Sequence, residues 1–320
     1  MLPHDLATAR RRAYYLFGRL FLEGITPELL PRLEAVPELA EAAQPYDPDQ
    51  AAAAHYQLTA VDVFPYASIF LDPSGLLGGP LSDETAELYN ESGYDEALSD
   101  YDHLGHKLGF LAYLCGMEAA SLAGGDVEVA LLWTSRQQGF LAGHLLRWLP
   151  PLVVAIQQAG SPFYSRLAEL TLELCVDHIQ KSESTAIPPL PQPPQIGDQE
   201  SSLKDIAHVL TTPPYCGLFL SREAISALAR RHELPRGFGD REQMLTNLLR
   251  AAGQYDAVTA VFHDLAGIYQ EGADRYQEQH DLLPKLRPWL QPWQEGVIQT
   301  AESLRGLADV IEKTQPQNTP

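Results

Sequence analysis

An all-α fold follows from three features of the sequence. Apolar residues recur at helical intervals through most of the chain. Strand-like alternation never lasts more than a few residues. Proline and glycine stand between the periodic stretches, where helices start and stop. At 320 residues the chain has room for one large or two medium domains. The pattern divides it into a helical bundle with a central hinge over residues 1–182, a proline-rich linker over 183–200 and a second helical module over 201–313. A tail over 314–320 is expected to be disordered.

The first helix is expected over 7–22, with Ala13, Phe17, Leu20 and Phe21 on one face. Thr26-Pro27-Glu28 predicts a restart, with Thr26 as cap and Pro27 in the first turn, where its missing N–H costs nothing. A third helical stretch over 50–63 ends before Pro65, whose ring disfavours helical geometry in the residue preceding it. Residues 64–80 interleave glycines and prolines with Phe64, Tyr66, Ile69, Phe70 and Leu71, which predicts an apolar loop packed onto the body. Ser82-Asp83-Glu84 then opens a helix, with a hydroxyl cap and two carboxylates at its positive end.

After the acidic turn Ser99-Asp100-Tyr101-Asp102-His103, a helix is expected to about Leu122, with Leu104, Leu108, Leu111 and Cys115 facing the core. Gly124-Gly125 ends it and Asp126 caps the next. There Trp133, Phe140, His144 and Trp148 recur along one face, and the last three are expected to be structural. Pro150-Pro151 marks a kink, and Ser161-Pro162 a restart. In the second module Ser221 caps a helix, Leu234-Pro235-Arg236-Gly237-Phe238-Gly239 turns, and amphipathic helices follow over 241–252 and 256–279. Trp289, Pro292 and Trp293 mark a final break.

The net charge of −20 argues against nucleic acid, which attracts basic faces. No apolar run reaches the roughly 18 residues of a membrane helix, so no membrane insertion is expected. Arg10-Arg11-Arg12 has the look of an export signal, but Arg19 and Glu23 interrupt the apolar stretch behind it, so an amphipathic helix of a cytoplasmic protein is expected. Cys115, Cys175 and Cys216 lack metal-ligand spacing and suit buried thiols.

Motifs for catalysis are missing. Gly75 to Gly79 precedes Pro80 and Leu81 rather than the Lys-Ser/Thr of a phosphate loop, and no nucleophile elbow, zinc-protease motif or Cys-x-x-Cys is present. Asp102, His103 and His106 cluster at a helix start and leave a metal-dependent hydrolase as one alternative, although a closed metal site needs further ligands. The simpler expectation is that Asp102 caps the helix and His103 bonds within a hinge. Asp177-His178 and His263-Asp264 repeat the dipeptide without further signal. A non-catalytic scaffold recruiting through Pro188 to Pro194 is the other alternative.

Residues 10–180 carry an ordered set of motifs. Pro65-Tyr66-Ala67-Ser68-Ile69-Phe70-Leu71 is similar to a Pro-Tyr-Glu-Ser-Val-Tyr segment, and Leu76-Leu77-Gly78-Gly79-Pro80, Tyr89 and Gly93 follow it. Asp102-His103-Leu104 resembles the end of a Glu-Pro-x-Asp-His hinge. Gln138, Phe140, His144, Trp148, Leu149 and Pro150 come next, then Phe163-Tyr164 and Leu167-Ala168. In this order the chain resembles the TorD/DmsD/NarJ redox-enzyme maturation chaperones. It departs from them at Ser99-Asp100-Tyr101, where Glu-Pro is usual, and at Ala67, where Glu is common. Residues 201–313 lie outside the basic family domain.

The resemblance implies a TorD-like bundle that binds without catalysis and carries no cofactor or metal of its own. Its partners would be the apo-form of a molybdenum-cofactor oxidoreductase and that enzyme's twin-arginine signal peptide, with the chaperone a monomer or homodimer. Asp102 is carried over as the guanidinium partner and His103 as a hydrogen-bonding group at the hinge. Tyr101, Tyr66, Phe70 and Leu77 are added here as an apolar and aromatic surface for the peptide's hydrophobic run.

Overall fold

The computed structural model describes residues 2–94, 100–180, 187–194 and 202–314. Among these residues there are helices and no strands; the one bridge of β type is an isolated pairing of Tyr66 with His103. The chain forms two compact units, Met1–Pro188 and Pro189–Pro320.

In the N-terminal unit α1 (Pro3–Glu23) lies along α6 (Leu104–Ala123). Glycines set their spacing: a Cβ on Gly105 would run into the Leu22 side chain and meet the Gly18 carbonyl at 2.7 Å. Two short helices, α2 (Pro37–Ala42) and α3 (Pro48–Tyr56), and a π turn, Gln57–Asp62, lead to the hinge. Thr26 supports a turn and the 3-10 segment Leu30–Ala35 rather than the expected α-helix, accepting from the Leu29 amide at 3.3 Å. The rest of the unit is α4 (Ala67–Leu71), α5 (Pro80–Glu91), α7 (Val127–Phe140), α8 (Leu149–Ala159) and α9 (Pro162–His178). α7 folds back on α6, and α8 packs against α9.

Three further expectations for this unit are corrected. The 64–80 segment contains a helix, α4, whose five residues are all buried. An isolated helix of that length does not survive in water; here the free amides of its first turn find acceptors on Asp102. The helix after it starts two residues before Ser82: Pro80 occupies its first position behind Gly79, and Ser82 is buried in its first turn. Trp133, Phe140, His144 and Trp148 do not lie on one continuous α-helix, because a π turn, Leu141–Leu145, shifts the register after Phe140. Pro150 and Pro151 sit in the first turn of α8, where no amide is missed.

The C-terminal unit holds α10 (Leu203–Thr211), α11 (Pro213–Cys216), α12 (Arg222–Arg231), α13 (Arg241–Gln254), α14 (Val258–Leu282) and α15 (Arg287–Thr314). α14 and α15 form its long hairpin. The turn after α11 is clamped onto the hairpin: Tyr276 of α14 donates to the Gly217 carbonyl at 2.7 Å, and Thr300 of α15 to the Cys216 carbonyl at 3.3 Å. Gly217 has φ +80°, and a Cβ there would strike the α15 backbone at 2.5 Å. The expected break at Pro292 does not occur. α15 runs through it because Leu290, Trp293 and Val297 are buried on one face, and that packing outweighs one lost backbone bond.

Residues 187–194 of the expected linker are non-helical. Residues 183–186 and 195–200, and 315–320 of the expected tail, lie outside the described residues; Thr314 ends α15.

Candidate functional site

The hinge joins two strips of chain that are far apart in sequence. The Leu104 amide donates to the Pro65 carbonyl at 2.8 Å, and the Ala67 amide to the Asp102 carbonyl at 3.1 Å. The Asp102 carboxylate accepts from the Ser68 amide at 2.9 Å. Asp102 thus caps α4, not the helix that follows it in sequence. Its exposure is 1%, and the carboxylate expected to meet a guanidinium is here bonded to the inside of the fold.

His103 caps α6. Its Nδ1 accepts from the Gly105 amide at 3.0 Å, which requires the neutral ring. Burial holds its pKa down to about 3, with His106 and His55 adding repulsion. Its ring meets Tyr66 edge-on, centroids 4.8 Å apart. His106 is one turn further along α6, its ring 5.8 Å from that of His103. Among the described residues no three His, Cys, Asp or Glu side chains converge to hold a metal.

The remaining predicted residues separate into an inner and an outer group. Phe70, expected at the ligand surface, is fully buried in the core against Trp148, ring centroids 5.8 Å apart. Phe140 is buried and stacks on His144 at 5.5 Å, and Trp148 donates from its indole to the His144 carbonyl at 2.9 Å. His144 is half-buried, and burial beside Lys107 and Arg147 lowers its pKa to about 4. On the outer side, Tyr66 is half-buried and its hydroxyl donates to the exposed Asp100 at 3.5 Å. Burial first, and then the Asp100 charge, push that phenol up to about 12, so it stays a donor. Tyr101 is half-buried. Leu77, with its neighbour Leu76, is exposed at 55% and 70% on the turn after α4. That turn returns to the hinge through the Gly78 amide, which donates to Ser68 Oγ at 3.3 Å. Ser99 lies outside the described residues.

Several contributors make contacts that the local sequence does not indicate. Tyr89 is buried and donates to the Tyr101 carbonyl at 3.1 Å, holding the turn where the family's Glu-Pro is absent. Lys107 is buried with its ammonium 3.0 Å from the Thr85 hydroxyl and 5.5 Å from the Phe140 ring centre. Burial lowers its pKa to about 8, against the pull of Asp102 and Glu84. Beside the hinge, a groove of about 490 Å3 between α1 and α6 is lined by Arg11, Tyr15, Tyr94, His106 and Tyr113. His178, passed over in sequence, is buried and bonded through Nδ1 to the Tyr14 hydroxyl at 2.9 Å.

The arrangement is a rigid inner clasp with an outward face of phenol, carboxylate and aliphatic groups. Its thiols are not activated: Cys115, Cys175 and Cys216 are buried, and burial raises those of Cys115 and Cys175 to about 12. Among the described residues no single helix is long and apolar enough to cross a membrane. In comparisons with known proteins, residues 26–154 match the family model described as nitrate reductase delta subunit. No curated protein and no solved structure matches the chain.

Proposed function

We propose a function from one premise: residues 26–154 belong to the nitrate reductase delta subunit family, the NarJ-type chaperones of molybdoenzyme maturation. In this reading the protein is a cytoplasmic, non-catalytic chaperone. It binds the apo-form of a molybdenum-cofactor oxidoreductase together with that enzyme's twin-arginine signal peptide, assists cofactor insertion and delays export. The observation that carries the site is the division of the hinge into a buried clasp and an exposed face. Asp102 and His103 act as positioning residues; they fix the turn that presents Tyr66, Asp100 and Tyr101. Asp100, the exposed carboxylate on that turn, takes a guanidinium, and Leu76 and Leu77 take the apolar run behind it.

Titration of the full chain with a labelled twin-arginine signal peptide and its Lys-Lys variant tests this. Asp100→Asn is expected to weaken binding about tenfold, and Leu76→Ser/Leu77→Ser by a similar factor, at about 1.4 kcal/mol per tenfold. The Lys-Lys peptide loses bidentate pairing and weakens likewise. A peptide that binds equally well to both variants would remove the hinge face from the proposal. Failure of any signal peptide to bind would remove the signal-peptide part and leave the apo-enzyme body as the client surface.

A further inference from the structure

The C-terminal unit carries a second exposed feature, at the turn between α12 and α13. Phe238 is 89% exposed, the most exposed large apolar side chain of the described residues. The turn is tied down on both sides of it. The Leu234 amide donates to the Ala229 carbonyl at 2.8 Å, Arg222 donates to the Gly239 carbonyl at 2.6 Å, and Asp240 caps α13 by accepting from the Gln243 amide at 2.8 Å. Gly237 lies against the α13 backbone, where a Cβ would sit 3.2 Å from the Met244 Cα. The turn is thus tied at both ends, and the ring stands out into solvent between them. Beneath it is an open recess of about 630 Å3, lined by Arg222, Ser226, Arg236, Phe238 and Met244.

The charge at this recess has the opposite sign to that of the chain, which carries −20 overall. Among the described residues, Arg236 has no carboxylate partner, and the bond formed by Arg222 goes to a carbonyl. Arg241, at the start of α13, stacks over Phe219 at 4.0 Å and donates to the Leu220 carbonyl at 3.3 Å, with Asp240 as an acidic neighbour. Of the nearby acids, Glu223 pairs with Arg230, Asp264 with Arg231 and His232, and Asp240 with the helix start, while Glu233 is exposed at the far end of the turn. Guanidinium groups beside an outward aromatic ring suit carboxylates flanking an apolar side chain. Elsewhere the protein's excess negative charge repels such a segment.

We propose that this recess is a docking site for an acidic linear segment of a partner protein, distinct from the hinge face. Carboxylates of the segment pair with Arg236 and Arg222, and an apolar side chain between them packs on Phe238 and Met244. The site needs no contribution from the N-terminal unit, and it stands whether or not the hinge binds a signal peptide.

The test uses the full chain and a fluorescein-labelled dodecapeptide with two acidic residues on either side of a central Leu-Phe pair. Binding is followed by anisotropy at low and moderate salt. Phe238→Ser and Arg236→Glu are each expected to weaken binding at least tenfold, as is replacing Leu-Phe by Ser-Ser in the peptide. Asp100→Asn, at the hinge, is expected to leave the affinity unchanged. Both recess side chains are exposed, and circular dichroism checks that the variants fold. The proposal is overturned if the peptide does not bind or if neither recess variant weakens it. Affinity that follows charge alone, regardless of Phe238 and of Leu-Phe, overturns it too. So does binding of a single-stranded oligonucleotide in place of the peptide.

Discussion

The turn before α6 and the turn before α13 have the same outline and opposite fates. Each ends in a side chain that caps a long helix, His103 in one and Asp240 in the other, and each contains charged and aromatic residues. In the first, Asp102 and His103 are buried and bonded inward, and Tyr89 holds the Tyr101 carbonyl from beneath. In the second, Arg236 and Phe238 stay in solvent. The family motif therefore marks the hinge's frame, while the recess sits in a unit the family match does not reach. An ionisable residue in a motif can be there to hold a turn rather than to meet a ligand, and burial decides which.

The contrast is broken most forcefully by removing the two cap carboxylates. Asp102→Ala leaves the Ser68 amide buried without an acceptor, and α4 keeps only its backbone bond from the Ala67 amide to residue 102. The expected loss is about 2–4 kcal/mol, combining a missing cap with an unsatisfied buried donor. Asp240→Ala exposes its orphaned amides to water and is expected to cost about 1 kcal/mol. Urea unfolding of the two variants measures both. Equal losses would mean that the hinge clasp is no more structural than an ordinary surface cap.

The same contrast explains what the sequence made legible. Caps whose partner lies three residues away, such as Asp126 on the Val129 amide and Ser221 on the Ala224 amide, follow from local spacing. So did most helix positions, because amphipathic period is a local property. The Asp102–Ser68 bond spans 34 residues, and nothing near Asp102 indicates that α4 needs it. Without that bond the glycines and prolines of 64–80 spell a loop and give no sign of α4. Pro292 misled for a related reason: propensity breaks the helix there, and burial of Leu290 and Trp293 keeps it whole. At the site, the motif located the hinge but not which of its groups face outward. Asp100 stands in the part of the turn that departs from the family pattern.

Acid sharpens the comparison at an intermediate scale. His103 takes up a proton near pH 6.5 when unfolded, and only near pH 3 when folded, because burial opposes the charge. The unfolded chain therefore binds more protons between those values, and stability rises with pH across that window. His103 contributes its full share above pH 6.5 and loses it progressively as pH falls toward 3. Between pH 7 and pH 5 the expected loss from this group is roughly 1–2 kcal/mol. His103→Asn keeps an acceptor for the Gly105 amide and removes the titration. Its unfolding midpoint is expected to fall less steeply between pH 7 and pH 5 than that of the unaltered chain. Parallel pH profiles would show that His103 is not what makes the hinge acid-sensitive.

The smallest effect is expected at the second turn, and its smallness is the point. Arg236 is exposed, with no carboxylate partner among the described residues. Its guanidinium contributes nothing that water does not replace, so Arg236→Gln is expected to shift unfolding free energy by less than about 0.5 kcal/mol. The backbone of the turn is held by Arg222 and Asp240 instead, and the substitution leaves both in place. A thermal or urea melt unchanged by Arg236→Gln, next to the large loss from Asp102→Ala, would separate a turn built to be rigid from one that leaves its charge exposed to solvent. A loss above 1 kcal/mol would assign Arg236 a structural partner, and with it remove the free guanidinium on which an acidic segment would dock.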